Sequence, residues 1–425
     1  MSSTSKPGLT WLELAIPFTL RAVFLFYLAP LFLALNIKGL AAYNIHLCSL
    51  LGCKPLQPKR LSHLFLKLVT FFLLPCIFLH CLFIFGGFSI STEKPMIFWE
   101  PSLISALSIF STVILLTIPL DFFYKAERMM LVSGLKRVIF DGFQSSVSFS
   151  DVLLGDVLTS YSRVLGDFFN FTYQSFSLSL SQENSILASD IVTPLIISLP
   201  FFFRLRQCVA EFLASNCSNQ RHIMNALKYA TAFPVIFLSP LVSKYVLLAP
   251  TEGSGAKGDI LFDSTWLYYS WIFFVVLNSI YSFFWDVLMD WDLGHFFPWE
   301  PTYFAINSQP DIFSESSNLI SEGEQKSYFS RTKWFLRKTL HFSSPWLYYV
   351  MVLLNLLLRI SWTIKLSRKL DIYHAPFGDF LLEFLELLRR FIWVFFRLEK
   401  ELIFREAESS PGPSNFQGIT SSCTV

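Results

Sequence analysis

Charge is what this sequence has least of. Asp, Glu, Lys and Arg make up 15% of its 425 residues, where a soluble domain carries about 25%. Hydrophobic residues reach 53% and aromatics 17%, with Phe alone at 48 positions. Such a chain cannot wet the surface of a cytosolic enzyme, and a disordered chain or a disulfide-knotted secreted domain fits it no better. Neither sign of charge dominates: the formal net charge is +2, so no global basic field draws nucleic acid. Cysteine is scarce and unpatterned, at 48, 53, 76, 81, 208, 217 and 423. That spacing is not a metal-ligand spacing, so no metal and no cofactor is expected. Cys48 and Cys53 share a loop and could pair only if it faces an oxidising lumen. There is no Gly-rich phosphate cradle, His-Glu-x-x-His pair or Gly-x-Ser-x-Gly elbow; His80 stands alone on an apolar stretch. No enzyme is expected. The one enzymatic alternative is a membrane-embedded transferase with Asp286 and Asp290 holding a metal.

Long apolar runs are what the chain has instead. A membrane-crossing helix needs about 20 mostly apolar residues, and 68–92, 101–120 and 264–285 supply them without a single charge. Punctuated apolar stretches occupy 14–36, 151–172, 190–210, 223–249, 343–366 and 376–398. A tenth, 122–140, mixes Lys125, Glu127, Arg128, Lys136 and Arg137 with apolar residues and reads as an interfacial amphipathic helix. The expected fold class is all-α: a polytopic membrane helix bundle of about ten segments, nine clear and one amphipathic. The opening MSSTSKPGLT lacks a signal-peptide pattern, so the first apolar stretch is expected to stay as an anchor. Residues 1–120 hold segments one to three and 121–405 the rest. The polar segment 308–328 and the tail 406–425 read as flexible and cytosolic.

Basic residues orient the bundle. The stretch 171–189 has no Lys or Arg, whereas one loop carries Arg204, Arg206 and Arg221 and another Arg331, Lys333, Arg337 and Lys338. The positive-inside rule assigns the two basic loops to the cytosol. Ten crossings then put both termini in the cytosol. Loop 37–63, with Lys38, Lys54, Lys59 and Arg60, falls on the wrong side of that scheme.

Ionisable residues inside apolar helices cost a few kcal/mol each and need partners or water. In the last segment Glu383, Glu386, Arg390 and Arg397 share one helical face, with Arg389 to one side. Arginines snorkelling to the headgroups are the plainer account of that face. Arg359 follows three leucines, with Trp362 one turn on. Asp286 and Asp290 are four apart beside Trp285 and Trp291; a charged cap at a helix exit explains them equally well. Asp156, Ser160, Arg163 and Asp167 form a polar stripe, and Lys228 and Tyr229 open a segment that Pro234 and Pro240 could kink. Cations converging inside a bundle, offset by acids, suit a polyatomic oxyanion, because Arg forks match its oxygens.

Several motifs resemble the EXS-domain family, which includes fungal ER-retention-defective proteins, plant PHO-type phosphate exporters and a retrovirus receptor that exports phosphate. They are the Glu386-Leu-Leu-Arg389-Arg390-Phe-Ile-Trp393 run, Trp285-Asp286-Val-Leu-Met-Asp290-Trp291, Asn225-Ala-Leu-Lys228-Tyr229, Pro200-Phe-Phe-Phe-Arg204-Leu-Arg-Gln207-Cys208, Leu358-Arg359-Ile-Ser-Trp362 and Phe123-Tyr124-Lys125. The resemblance covers about 120–405 and implies ten helical segments, 122–140 being the fourth, with inorganic phosphate as the solute. It maps phosphate-site positions onto Asp156, Ser162, Lys228, Tyr229, Asp286, Asp290, Arg359, Glu386, Arg389 and Arg390, with Trp362 as a gate. Thr159 stands where related exporters often carry Asn. The SPX domain that senses inositol polyphosphates in large exporters has no counterpart here. In this it resembles the short fungal proteins, which implies a Golgi membrane, with the endoplasmic reticulum membrane as a further location, and a role in glycosylation and retention of lumenal proteins. Expected partners are inorganic phosphate and membrane lipid, with sorting adaptors, glycosyltransferases and a second copy of the chain as further candidates. The rival is a non-transporting sorting factor whose 294–342 loop or tail recycles glycosyltransferases.

Overall fold

The computed structural model describes residues 18–45, 57–87, 99–143, 146–177, 191–244, 257–293, 336–337, 339–342, 344–366 and 376–409. Cys48, Cys53, segment 308–328 and residues 410–425 lie outside them. Among the described residues every regular element is a helix. They are α1 (Phe18–Ala42), α2 (Pro58–Leu68), α3 (Leu74–Gly87), α4 (Trp99–Thr117), α5 (Lys125–Phe140), α6 (Phe149–Ser160), α7 (Ser162–Ser177), α8 (Thr193–Ala214), α9 (Gln220–Ala230), α10 (Ala232–Val242), α11 (Lys257–Phe284), α12 (Pro345–Arg359) and α13 (Pro376–Ser409). A π turn, Val69–Leu73, joins α2 to α3; another, Trp285–Asp290, ends α11; and a 3-10 turn, Ser361–Leu366, follows α12. Among the described residues five stretches are long and apolar enough to cross a membrane: Leu20–Ala42, Pro58–Leu82, Gln220–Val242, Thr265–Asp290 and Pro345–Thr363. α13 continues through Glu406–Ser409, into what the sequence suggested was tail.

Ring contacts fix how the first and last helices run. Phe24 meets Phe380 with centroids 6.0 Å apart, Phe32 stacks on Phe391 at 4.8 Å, and Gly39 faces the Phe395 ring. The numbers climb together, so α1 and α13 are parallel. The rest alternate. Val23 and Tyr27 cluster with Leu73 and Cys76, while Ala34 and Leu40 cluster with Leu61 and Leu64, which makes α2–α3 antiparallel to α1. His80 meets Ser105 at 3.2 Å and Phe72 accepts from Ser108, turning α4 back. Gly155 abuts Arg204 and Gly166 abuts Ile197, so α6–α7 opposes α8. Arg221 bonds Met289 and Thr231 bonds Asn278, opposing α9–α10 to α11.

Nine rods (α1, α2–α3, α4, α6–α7, α8, α9–α10, α11, α12 and α13) thus run between the same two ends. One end gathers the exposed cations Lys38, Lys59, Arg60, Lys136 and Arg137 and is called the basic end below. α5 lies along it. The buried Arg128 guanidinium donates to the carbonyls of Leu115, Ile118, Leu120, Phe122 and Phe123, closing the α4 terminus where carbonyls lack helical partners. At the other end of α5, Arg206 donates to the carbonyls of Arg137, Val138 and Ile139, and Arg137 clasps Asp151 with both prongs of its fork. Arg204 and Arg206 are therefore not loop charges, as their positions suggested. Both are buried inside α8.

Candidate functional site

Four of the rods are interrupted at one level of the bundle. α6 ends at Ser160: the Tyr161 amide bonds Leu158, and the Thr159 hydroxyl bonds back to the Asp156 carbonyl at 2.8 Å, a contact that bends helices. The polar stripe expected along 151–172 is split there. Asp156 and Ser160 stay inside, whereas Arg163, beyond the break, is exposed. α9 stops at Thr231, whose hydroxyl bonds Lys228 O at 2.7 Å and Asn278 Oδ1 at 3.0 Å. The break precedes Pro234, whose missing N–H cannot continue the ladder. α11 widens into its π turn at Trp285 and α12 gives way to a 3-10 turn after Arg359. α13 passes uninterrupted through the same level.

The charged side chains meet there. Asp286, 1% exposed, takes Arg359 NH2 at 2.7 Å and Arg389 NH1 at 3.2 Å, with Asn355 Nδ2 at 3.5 Å. Arg389 also grips Glu386 with Nε and NH2. Asp156 accepts from Arg204 Nε at 2.8 Å and from the Tyr229 hydroxyl; Arg204 reaches Gln207 Oε1 at 2.6 Å. Lys228 lies 3.8 Å from Asp290, with its ammonium over the Tyr229 and Trp285 rings at 4.6 and 5.4 Å. Asp290 and Arg397 are 4.0 Å apart. The π turn gives Asp286 and Asp290 different partners, although four-residue spacing suggested a shared face. A metal would need both carboxylates on one point. Each instead meets cations, and among the described residues no cluster of three or more His, Cys, Asp or Glu could hold a metal.

Arg390 differs from its neighbours. It is nine-tenths buried, its Nε donates to Ser160 Oγ at 2.9 Å, NH2 stands 3.5 Å from Thr159 Oγ1, and the guanidinium lies 4.5 Å over the Trp393 ring. Ser160 in turn donates to Glu386 at 3.0 Å. Among the described residues no carboxylate pairs directly with Arg390. Its neighbour Arg359 keeps a buried Nε without a hydrogen-bond partner. A buried cation held only by neutral groups is costly, and an oxyanion would complete the set.

The structure thus brings together Asp156, Thr159, Lys228, Tyr229, Asp286, Asp290, Arg359, Glu386, Arg389 and Arg390. Ser162 is buried at the start of α7, across the Tyr161 break, with no hydrogen bond into the network. Trp362 sits on the 3-10 turn one step past Arg359 and donates Nε1–H to Ser279 at 3.1 Å. Glu383 and Arg397 keep the face of α13 that they share with Glu386 and Arg390, but one turn or more along the helix they meet other groups, Arg397 lying 4.0 Å from Asp290. Glu383 lines a separate small cavity with Arg21, Asp167 and Asp379. Arg204, Gln207 and Asn355 are site residues that the sequence reading did not select. The signal for Arg204 was the uncompensated Asp156 and the apolar Pro200–Phe203 run leading to it.

A model of the EXS family matches residues 16–403. Protein ERD1 homolog 1 of Schizosaccharomyces pombe is 26% identical over 295 residues, covering 68% of this chain and 66% of that protein. Protein ERD1 homolog 2 of the same yeast is 28% identical over 305 residues, 69% of this chain and 65% of its own length. Solute carrier family 53 member 1 of Mus musculus is 26% identical over 299 residues, 67% of this chain but 36% of the carrier. The chain therefore spans about two thirds of the yeast relatives it matches and about a third of the carrier. With a matching model across almost the whole described bundle, the chain belongs to the EXS family.

Proposed function

We propose that this chain passes inorganic phosphate through its bundle, between the lumen and the cytosol of a Golgi membrane. The observation that carries the reading is Arg390: a buried guanidinium that pairs with no carboxylate among the described residues, beside Arg359, Arg389 and Lys228. In this reading the three arginines and Lys228 replace the hydration shell of phosphate, and Tyr229 adds a neutral hydrogen bond. Asp156, Asp286 and Glu386 keep the cations in place and the binding weak enough for release. Helices broken at the level of a polar site are a recurrent construction for membrane transport. Trp362, anchored to Ser279, is the gate toward the opposite end. The nine rods are the crossings, and α5 is a tenth, interfacial segment. Clustered exposed cations favour the basic end as cytosolic, which seats loop 37–63 correctly and sends the Phe18 end of α1 to the lumen. The side on which the N-terminus itself lies falls outside the described residues. Phosphate released by lumenal glycosylation is the proposed cargo, and effects on glycosylation and ER retention follow from its recovery.

The test is radiolabelled phosphate uptake by proteoliposomes of the purified chain, beside Arg389→Ala with Arg390→Ala. Saturable uptake abolished in the double variant is the expected result. No uptake by folded, inserted wild-type protein would overturn the reading and favour a sorting factor.

A further inference from the structure

Beyond the central cluster, toward the basic end, three more cations converge on the π turn. Arg221 NH2 of α9 and Lys400 Nζ of α13 both donate to the Met289 carbonyl, at 2.9 and 2.5 Å. Sharing one acceptor, they stand no further apart than those two bonds laid end to end. Arg397, one turn before Lys400 on α13, lies 4.0 Å from Asp290 and 3.8 Å from Glu401, both beyond hydrogen-bond length, and its guanidinium is 5.0 Å over the Phe149 ring. The surrounding carboxylates are already engaged or distant. Glu401 is held more closely by Arg405 at 2.9 Å, and Glu211 pairs with His222 at 3.3 Å. Asp292 influences both Arg221 and Lys400 but makes no ion pair with either. Asp290, 8% exposed, keeps a buried Oδ2 with no hydrogen bond, suspended 3.8 Å from Lys228 on the inner side. Two like charges on one neutral carbonyl, beside a loosely held third, form a set of donors that a multi-oxygen anion fits better than the peptide group now shared.

We propose that Arg221, Arg397 and Lys400 form a second oxyanion site at the mouth of the bundle, adjoining the central one at its Lys228–Asp290 edge. Its ligand is a phosphate group, either free or on a phosphomonoester lipid headgroup. The choice of phosphate rests on the function proposed above, while the site itself rests on these contacts. A free phosphate there passes inward by exchanging Arg397 for Lys228 as Asp290 swings between the two.

The experiment is equilibrium binding of radiolabelled phosphate to the purified full chain in phosphatidylcholine nanodiscs, with and without phosphatidic acid. The variants are Arg221→Gln with Lys400→Gln, the conservative Arg221→Lys with Lys400→Arg, and Arg390→Gln. The glutamine pair should lose one bound phosphate, or weaken it by about fivefold or more, and the conservative pair should restore it. Arg390→Gln should remove the other. If the glutamine pair abolishes binding while Arg390→Gln changes nothing, the outer site stands and the central transport reading falls. Phosphatidic acid that competes with phosphate in wild type, but not in the glutamine pair, assigns the site to a headgroup. Unaltered phosphate and lipid binding in a folded glutamine pair overturns the proposal. So does binding lost equally in the conservative pair, because charge would then not be what the site recognises.

Discussion

At the scale of the residue, the buried ion pairs set how each side chain responds to change. Asp156 and Arg204 are both almost fully buried, so removing either partner strands the other. Asp156→Asn or Arg204→Met should each cost about 3 kcal/mol, with the double change costing less than the sum; unfolding of the purified chain followed by tryptophan fluorescence measures it. Arg390 should behave differently, because its present partners are neutral. Arg390→Glu should abolish phosphate flux with expression largely unchanged, and Arg390→Lys should keep charge but lose the fork, lowering flux by about tenfold. Normal flux in Arg390→Glu would remove the residue from the pathway. These residues were legible in the sequence because a charge amid Phe and Leu is costly and needs a reason. Arg204 was not, since its partner is 48 positions away and a neighbouring Arg206 made both look like the edge of a loop.

Elements explain what residue spacing could not. Spacing of four, three and four along 151–172 predicted one face, but Ser-Tyr-Ser carries no Gly or Pro to announce the break at Tyr161. Nor does Trp285–Asp290 advertise a π turn. Both irregularities turn polar atoms inward where a continuous helix would satisfy them internally, and π turns often mark functional sites. Packing at that level is close. A Cβ on Gly155 would fall 2.4 Å from Arg204 Cδ and 2.9 Å from Gln207 Oε1. Gly155→Ala should therefore displace Arg204 from Asp156 and destabilise the chain by about 2 kcal/mol, with flux reduced alongside. Equal stability and flux in the alanine variant would mean that α6 and α8 part easily. Gly39→Ala meets only the Phe395 ring, at 2.9 Å, and should lower stability while sparing flux.

For the whole molecule, apolar run lengths were enough to anticipate that the described elements are all helical, five of the stretches being long and apolar enough to cross a membrane, but orientation needed three dimensions. The parallel pairing of α1 with α13 is invisible to hydropathy, and it reassigns loop 37–63 to the basic end. Cysteine substitution in sealed, cytosol-out membrane vesicles tests the orientation. Lys59→Cys and Lys136→Cys should react with a membrane-impermeant reagent, and Ile191→Cys only after the membrane is opened. Reaction at Ile191→Cys in intact vesicles would invert the arrangement.

The same pairing constrains how the protein is made. α1 is the first described helix to leave the ribosome and α13 the last, yet each covers the other along most of α1, and α13 brings Glu386, Arg389 and Arg390. Until α13 arrives, Phe24, Phe32 and Gly39 lack the rings of α13 that they meet, and Asp286 lacks one of its two arginines. The nascent chain must therefore wait in the membrane with its seam open, dependent on lipid or a chaperone. Termination before residue 376 should leave an insertion-competent but unsealed chain, a substrate for quality control rather than a shorter working form.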